Sequence, residues 1–321
     1  MMPLPQDTDD SGSDDSGPEP SGSDPGRKPG AVRPPPGLYV VATPIGNAGD
    51  ITLRALETLR GVDAVACEDT RITGKLLHRY GIAAPLLQYH EHNAARMRPV
   101  LLGRVAAGEA IALVSDAGTP LVSDPGYKLV REAREQGLAV THLPGASAAL
   151  TGLVLSGLPS DRFLFAGFLP PKTAARRTAL EELKPVRASL ILFESAQRLA
   201  DLLADAAAVL GAREAAVSRE LTKLFEEVRR GDLAGLAAHY AEAGPPKGEV
   251  VVVIGPPAPE EAPAGADLDA LLAEALAGMS VRDAAASVAA ATGLPRKAVY
   301  ARALDLGRRT GAGHGPGPQQ D

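Results

Sequence analysis

The chain contains no tryptophan, and aromatic residues occupy only 3% of its 321 positions. An aromatic platform for stacking single-stranded nucleic acid is therefore not expected. Cys67 is the only cysteine, which excludes a disulfide within the chain and a metal site built from cysteines. No apolar run approaches the roughly 20 residues that cross a bilayer, and the first residues lack the basic-then-apolar order of a signal peptide. These absences predict a cytoplasmic protein that does not enter a membrane.

The net charge of −6 is distributed unevenly along the chain. Residues 1–36 contain seven acidic and three basic side chains, so this segment carries −4 and leaves −2 for the remainder. The segment consists mainly of Asp, Ser, Gly and Pro, which predicts a disordered acidic tail. The rest of the chain is close to neutral and is compatible with a local basic surface.

From residue 37 onward, short apolar runs alternate with helical patterns. This alternation predicts an α/β fold in which helices cover a mostly parallel sheet. After a hinge at 157–162 the pattern changes and predicts a second α/β lobe with a mixed sheet. The predicted divisions are an acidic tail at 1–36, lobes at 37–156 and 157–256, a linker at 257–266, a helix-turn-helix module at 267–310 and a tail at 311–321.

The helix-turn-helix prediction depends on three short helical patterns near the end of the chain. A turn formed by Gly293, Leu294 and Pro295 separates the second pattern from the third, with Pro295 placed to begin a helix. The third pattern is basic, which suits a nucleic-acid backbone. A small dimerisation or packing module explains the same pattern equally well.

Several apolar runs end in loops of small and polar residues. The most informative is 111–115, which leads into the Gly- and Pro-rich loop 116–126 and places Asp116 directly after a strand. Ligands of open α/β folds bind at the carboxyl edge of the sheet. The alternative is a long connector with Asx turns. Binding is favoured because this loop and the turn 144–148 follow neighbouring strands.

A second group of polar residues follows the run 64–67. Glu68, Asp69 and Arg71 could orient a polar substrate or transfer a proton. Alternatively, they cap the next helix and form a surface salt bridge. His90 and His92 resemble metal ligands, but no third strong ligand stands at a recognisable spacing, so no metal site is predicted.

Two basic clusters lie in the predicted second lobe. Lys172, Arg176 and Arg177 form the first, and the second contains Arg219, Lys223, Arg229 and Arg230. Such clusters can hold phosphates of a nucleic acid. Solvated helix faces are the alternative.

Seven segments carry a more specific pattern, namely 38–47, 67–71, 115–126, 143–148, 168–172, 193–195 and 248–253. In this order they resemble the ribosomal RNA small-subunit methyltransferase I group. That group belongs to the tetrapyrrole-methylase-like, or class III, methyltransferases. The resemblance covers about 37–256, and a helix-turn-helix extension follows this part of the chain.

The resemblance implies that S-adenosylmethionine binds in a cleft between two α/β lobes. It implies methyl transfer to the ribose 2′-oxygen of a decoding-region cytidine in 16S rRNA, on the 30S subunit, by a homodimer. It also implies the residues that border the cofactor: Pro44, Asp116, Thr119, Ser147, Ala148, Glu194, Gly248 and Glu249.

A ribose hydroxyl is a weak nucleophile, so a general base would assist the transfer. Glu68 and Asp69 are the candidates because they follow a strand near the proposed cleft, and Lys223 is a reserve. The residues expected to contact phosphates are Arg71, Lys172, Arg229 and Arg230.

Two other functions remain to be compared with RNA methylation. A precorrin-type tetrapyrrole C-methyltransferase would share the cofactor site and the fold. A non-enzymatic regulator that binds DNA through 267–310 would leave the strand-end loops unexplained.

Overall fold

The computed structural model describes residues 32–258, 265–292 and 294–309. The chain divides into two units, the first ending at Ser147 and the second beginning at Ala148. The sequence placed this division after residue 156, so the helix between the two positions belongs to the second unit instead of the first. Most of the predicted tail 1–36, most of the linker 257–266, Gly293 and the tail 311–321 lie outside the described residues.

The first unit alternates strands and helices, as the sequence predicts. Its elements are β1 (Gly37–Val41), α1 (Leu53–Gly61), β2 (Ala64–Cys67), α2 (Thr70–Arg79), β3 (Leu86–Gln88), α3 (Ala94–Ala106), β4 (Ala110–Leu113), α4 (Tyr127–Glu135) and β5 (Val140–Leu143). The strands form one sheet in the order β3-β2-β4-β1-β5, and every neighbouring pair is parallel. All five strands therefore end at the same edge of the sheet.

Both faces of this sheet are buried. Tyr39 and Val41 point to the face covered by α1 and α2, where Leu59 is completely buried. Leu38 points to the other face and packs with Leu101 of α3 and Leu129 of α4. Strands buried on both faces read as continuous apolar runs, which is why the sequence pattern located them.

The second unit contains a mixed sheet, also as predicted. Its elements are α5 (Ala148–Ser156), β6 (Phe163–Phe168), α6 (Thr173–Leu183), β7 (Ser189–Ser195), α7 (Leu199–Leu210), β8 (Glu214–Arg219), β9 (Glu227–Asp232), α8 (Leu233–Ala243) and β10 (Glu249–Ile254). The strand order is β6-β7-β10-β8-β9, with β6 and β7 parallel and the other pairs antiparallel.

Helices α6, α7 and α8 cover one face of this sheet around Leu192 and Val252. Helix α5 contacts the sheet as well, and its Gly152 faces Val251 so closely that an added Cβ would lie 2.7 Å from Val251 Cγ1. Only a residue without a side chain permits this approach.

The helical pattern near the end of the chain is confirmed. Helices α9 (Gly265–Leu276), α10 (Val281–Thr292) and α11 (Arg296–Arg309) pack around Leu272, Val288 and Val299. Ser280 caps α10 by accepting a hydrogen bond from the Asp283 N–H at 3.2 Å. None of the helices in the described ranges has the length and apolar character that crossing a bilayer requires.

Candidate functional site

The loops after β1, β4 and β5 are joined at the carboxyl edge of the first sheet. Thr43 and Gly118 exchange two backbone hydrogen bonds of 2.9 and 3.0 Å. The Thr43 hydroxyl donates to the Ser115 carbonyl at 3.1 Å, and the Thr119 hydroxyl donates to the Ala146 carbonyl at 3.2 Å. The site therefore has a fixed backbone frame. Thr43 and Ser115 were not among the predicted site residues, although both are hydroxyl residues at predicted strand ends.

The loop after β4 has an unusual backbone. Leu121 and Ser123 have φ values of 74° and 64°, and Gly118 has 82°. A non-glycine residue in this left-handed region costs about 1–2 kcal/mol. Strained residues of this kind concentrate at binding and catalytic sites, so the strain supports a functional loop over a plain connector.

Asp116 lies half-buried at the start of this loop. Its Oδ1 accepts a hydrogen bond from the Asp69 N–H at 3.1 Å, and its Oδ2 accepts none from the described residues. Burial raises the pKa of the Asp116 carboxyl, and the nearby charge of Asp69 adds to this shift. The structure thus presents one free carboxylate oxygen at the sheet edge.

Glu68 and Asp69 follow β2 and differ in their surroundings. Burial raises the pKa of Glu68, and the negative charge of Asp116 raises it further. The Asp69 carboxylate instead accepts hydrogen bonds from the Arg71 guanidinium, with 2.6 Å between Arg71 Nη2 and Asp69 Oδ2. This hydrogen bonding lowers the pKa of Asp69 to about 2. Glu68 is therefore the better proton acceptor of the two.

Three other predicted positions lie at the end of the first unit or just beyond it. Pro44 is half-buried directly after β1, and Ser147 closes the loop after β5. Ala148 opens α5 and so belongs to the second unit.

His90 and His92 of the first unit lie close together. Their ring centroids are 5.9 Å apart, and His90 Nδ1 is buried and has no hydrogen-bond partner among the described residues. Across the described residues no group of three or more His, Cys, Asp or Glu side chains is placed to hold a metal ion.

Glu194 lies in β7 of the second unit and is only 2% exposed. Its Oε1 accepts hydrogen bonds from the Ser195 N–H and from Arg198 Nε, both at 2.7 Å. Its Oε2 is buried and has no hydrogen-bond partner in the described part of the chain. This carboxylate thus keeps an unused acceptor.

Gly248 directly precedes β10 and Glu249 is its first residue, and the loop after β8 lies beside them. Gly248 has a φ of 90°, and a Cβ there would collide with the Glu220 carboxylate. Glu220 in turn pairs with Lys223 Nζ at 2.8 Å. Since Lys223 is held by this carboxylate, its availability as a base is reduced.

The predicted phosphate contacts have different surroundings. Lys172 is exposed directly before α6, and Arg71 is exposed while it pairs with Asp69. Arg229 pairs with Glu227 at 3.2 Å. Arg230 donates to the Ser156 carbonyl at 2.7 Å and to the Leu155 carbonyl, so it caps the end of α5.

The remaining basic residues of the first cluster have a structural role. Arg176 is buried and donates to Asp205 Oδ2 at 2.6 Å, and Arg177 donates to the other oxygen at 2.7 Å. This ion pair joins α6 to α7 and buries the Arg176 guanidinium, whereas the Arg177 side chain stays half-exposed.

Comparison with known proteins identifies the fold. Residues 37–237 match the family described as Tetrapyrrole (Corrin/Porphyrin) Methylases, and residues 262–307 match the RsmI C-terminal HTH domain. The crystal structure of uroporphyrin-III-C-methyltransferase from Thermus thermophilus has the same fold, with a TM-score of 0.50 and 22% identity over 68% of this chain and 93% of that one. The protein therefore has a tetrapyrrole methylase fold with a helix-turn-helix extension.

Full-length relatives define the family more narrowly. Ribosomal RNA small subunit methyltransferase I of Mesorhizobium japonicum is 55% identical over 281 residues, which cover 87% of this chain and 95% of the relative. The protein of the same name from Erythrobacter litoralis is 60% identical over 271 residues, which cover 84% of this chain and 95% of the relative. The chain belongs to the ribosomal RNA small subunit methyltransferase I family.

Proposed function

We propose that the protein transfers a methyl group from S-adenosylmethionine to the ribose 2′-oxygen of a decoding-centre cytidine in 16S rRNA. The observation that carries this proposal is the high identity to small-subunit methyltransferases over nearly their whole length. The strained loop and the free carboxylate oxygen at the sheet edge support a binding site in the first unit.

The residues present at this edge suit the methyl donor. Its amino and ribose hydroxyl groups are hydrogen-bond donors, and Asp116 Oδ2 is an acceptor with no other hydrogen bond from the described residues. Thr119 and Pro44 would border the donor from the joined loops. In the second unit, Glu194 Oε2 offers a further acceptor, and Ala148, Gly248 and Glu249 are the other proposed positions of that unit. Ser147 is the last proposed position of the first unit.

S-adenosylmethionine supplies an electrophilic methyl group on a sulfonium that leaves as a neutral thioether. Because this leaving group is good, the protein contributes mainly by alignment, with about 3 Å between the ribose oxygen and the methyl carbon. Glu68 would accept the proton of the 2′-hydroxyl, and its raised pKa makes it a stronger base than an exposed glutamate. Asp69 would hold Arg71 at the site.

The RNA would be held by cations that the fold leaves accessible. Lys172 and Arg229 are the best placed of the predicted residues, while Arg71 would share its guanidinium between Asp69 and a phosphate. Arg230 stays a weaker candidate because its guanidinium caps α5. No metal ion is required for this reaction.

The proposal includes a homodimer that acts on the 30S subunit in the cytoplasm. Exposed apolar side chains in the second unit support pairing of two copies. Leu150 and Val154 of α5 are 50% and 74% exposed, and Phe163 and Phe168 lie on the edge strand β6 with 47% and 55% exposure.

A methyl-transfer assay with tritiated S-adenosylmethionine tests the proposal. We expect label in 30S subunits, in a nucleotide whose ribose is methylated, and none in a tetrapyrrole precursor. Label in the precursor alone would favour the tetrapyrrole C-methyltransferase. Absence of any transfer, together with specific DNA binding through 267–310, would favour the regulator.

A further inference from the structure

The second unit contains a cavity of about 380 Å³, and one of its lining residues is Arg229, which is proposed above to hold RNA. Its walls come from β8, β9, the end of α8 and the loop that leads to β10. The charged and aromatic side chains that line it are Arg219, Glu227, Arg229, His239, Tyr240 and Lys247. A volume in this range suits a ligand of nucleotide size, since sites for small molecules measure about 300–1,000 Å³.

The charges in this cavity are not balanced. Arg219, Arg229 and Lys247 face a single carboxylate, that of Glu227. Both oxygens of Glu227 are already occupied, Oε2 by Arg219 Nη2 at 2.6 Å and Oε1 by Arg229 Nη2 at 3.2 Å. Hydrogen bonding from Arg219 lowers the pKa of Glu227, so this carboxylate stays ionised at neutral pH. Two positive charges are therefore left without a counter-charge in the cavity.

Two donors in the cavity are also left without acceptors. Arg229 Nε is buried and has no hydrogen-bond partner among the described residues. Lys247 makes no ion pair or hydrogen bond within the same part of the chain. A buried guanidinium N–H without an acceptor is unfavourable, and an anion in the cavity would satisfy it.

The backbone at the entrance to the cavity is restricted even without a ligand. Gly244 ends α8 with a φ of 77°, and Pro245 and Pro246 restrict the loop that follows. Lys247 and Pro245 are exposed at the rim, so a ligand that enters can continue outward into solvent. On the other side, the His239 and Tyr240 rings form a wall, with centroids 4.9 Å apart.

We propose that this cavity binds a phosphate group of the RNA strand. Guanidinium and ammonium groups recognise phosphate by charge-assisted hydrogen bonds, and an open rim admits a phosphate that is part of a polymer. The size of the cavity favours a nucleotide unit over a small inorganic anion. The inference rests on the proposed RNA substrate and extends the contact proposed for Arg229 to the whole cavity, with Lys247 as a further cation on the same phosphate.

The test uses full-length protein and a fluorescently labelled 16S rRNA fragment that contains the decoding region. Lys247→Gln removes a cation that has no partner, so the fold is expected to be unaffected. Arg162→Gln is the matched control, since Arg162 is an exposed cation of the same unit outside the cavity. Binding is measured by anisotropy between about 50 and 200 mM salt.

We expect Lys247→Gln to weaken RNA binding about 3- to 10-fold and to reduce the slope of log K against log salt by about 0.7. Arg229→Gln should act in the same direction, and Arg162→Gln should change neither quantity. Unchanged affinity and slope in both cavity variants would overturn the proposal. So would a thermal shift by inorganic phosphate that Lys247→Gln abolishes while RNA binding stays unchanged, because the cavity would then be a site for free anions.

Methyl transfer to 30S subunits by the wild-type protein separates this inference from the proposed function. If the wild type methylates 30S subunits and both cavity variants bind RNA normally, only the cavity assignment fails. If the wild type neither binds the RNA fragment nor methylates 30S subunits, the proposed function itself fails.

Discussion

Three carboxylates at the edge of the first sheet have different proton affinities although they lie close together. Asp69 is held ionised by Arg71, whereas burial raises the pKa of Glu68 and of Asp116. Environments that push neighbouring pKa values apart are typical of acid–base sites. The motif Glu68-Asp69 offered two equal candidates in the sequence, and the contact with Arg71 distinguishes them.

Glu68→Gln tests the assignment of the base. We expect the single-turnover rate of methyl transfer to fall about 10²- to 10⁴-fold at neutral pH, because the amide cannot accept the hydroxyl proton. A base acts only when deprotonated, so the wild-type rate should rise with pH through the Glu68 pKa. Since that pKa is raised, the acidic limb should lie above the ordinary value of 4.5 and be absent in the variant.

Asp69→Asn is the comparison for that experiment. It should react within about threefold of the wild type and keep an acidic limb. The limb should move slightly to lower pH, because the charge of Asp69 is one of the causes that raise the pKa of Glu68. If both variants react at nearly the wild-type rate, neither carboxylate is the base.

At the scale of single elements, close packing of α5 on the sheet gives a prediction about stability. Gly152→Ala places a Cβ 2.7 Å from Val251 Cγ1. Overpacking costs about 1–3 kcal/mol, whereas the better helix propensity of alanine gains at most about 1 kcal/mol. We expect a lower unfolding temperature by scanning calorimetry.

Gly103→Ala is the matched control, because Gly103 is exposed in α3 and no atom lies within 4 Å of an added Cβ. This substitution should stabilise the protein by about 0.5–1 kcal/mol. Equal stabilisation by both substitutions would show that α5 does not pack closely against Val251.

Two kinds of element are easiest to predict from the sequence. They are strands whose apolar residues are buried on both faces and helices whose apolar residues recur with a clear helical period. β2, β5, β6 and β10 coincide with apolar runs and α10 with a helical period, so a local pattern indicates them. No such pattern indicates β3, which has only three residues and follows Pro85, or β9, in which Val228 is the only apolar residue. These two strands form because a neighbour pairs with them, and that information is not local.

Helix α3 begins earlier than its clearest apolar pattern. That pattern starts at Leu101, after Pro99, whereas the helix runs from Ala94 and contains the proline. A proline usually ends a helix because it lacks the N–H that the previous turn accepts. Burial of Leu101, Leu102 and Val105 against the sheet stabilises the helix around this defect.

The sequence pattern indicates only part of the candidate site. The loop with Asp116 and Thr119 follows an apolar strand, and this local signal is sufficient to select the loop as a candidate. The cavity around Arg229 and Lys247 was missed as a unit, because pairing of β8 with β9 and the end of α8 bring its walls together. Arg229 had been selected by its charge alone.

At the scale of the whole molecule, the net charge of −6 does not describe the surface that an RNA would meet. The predicted acidic tail carries much of the negative charge, and Lys172, Arg229 and Lys247 present positive charge in the second unit. At ordinary salt the electrostatic field of a charged group is screened beyond about 10 Å. Nearby cations can therefore hold RNA although the protein as a whole is acidic.

Binding of the methyl donor is the most direct test of the account, because every proposed step requires it. Titration calorimetry of the folded, full-length protein with S-adenosylmethionine should give saturable heat with one site per chain, and Asp116→Asn should weaken it through loss of the negative charge at the sheet edge. Absence of heat across several temperatures, with the protein shown to be folded by circular dichroism, would contradict the assignment.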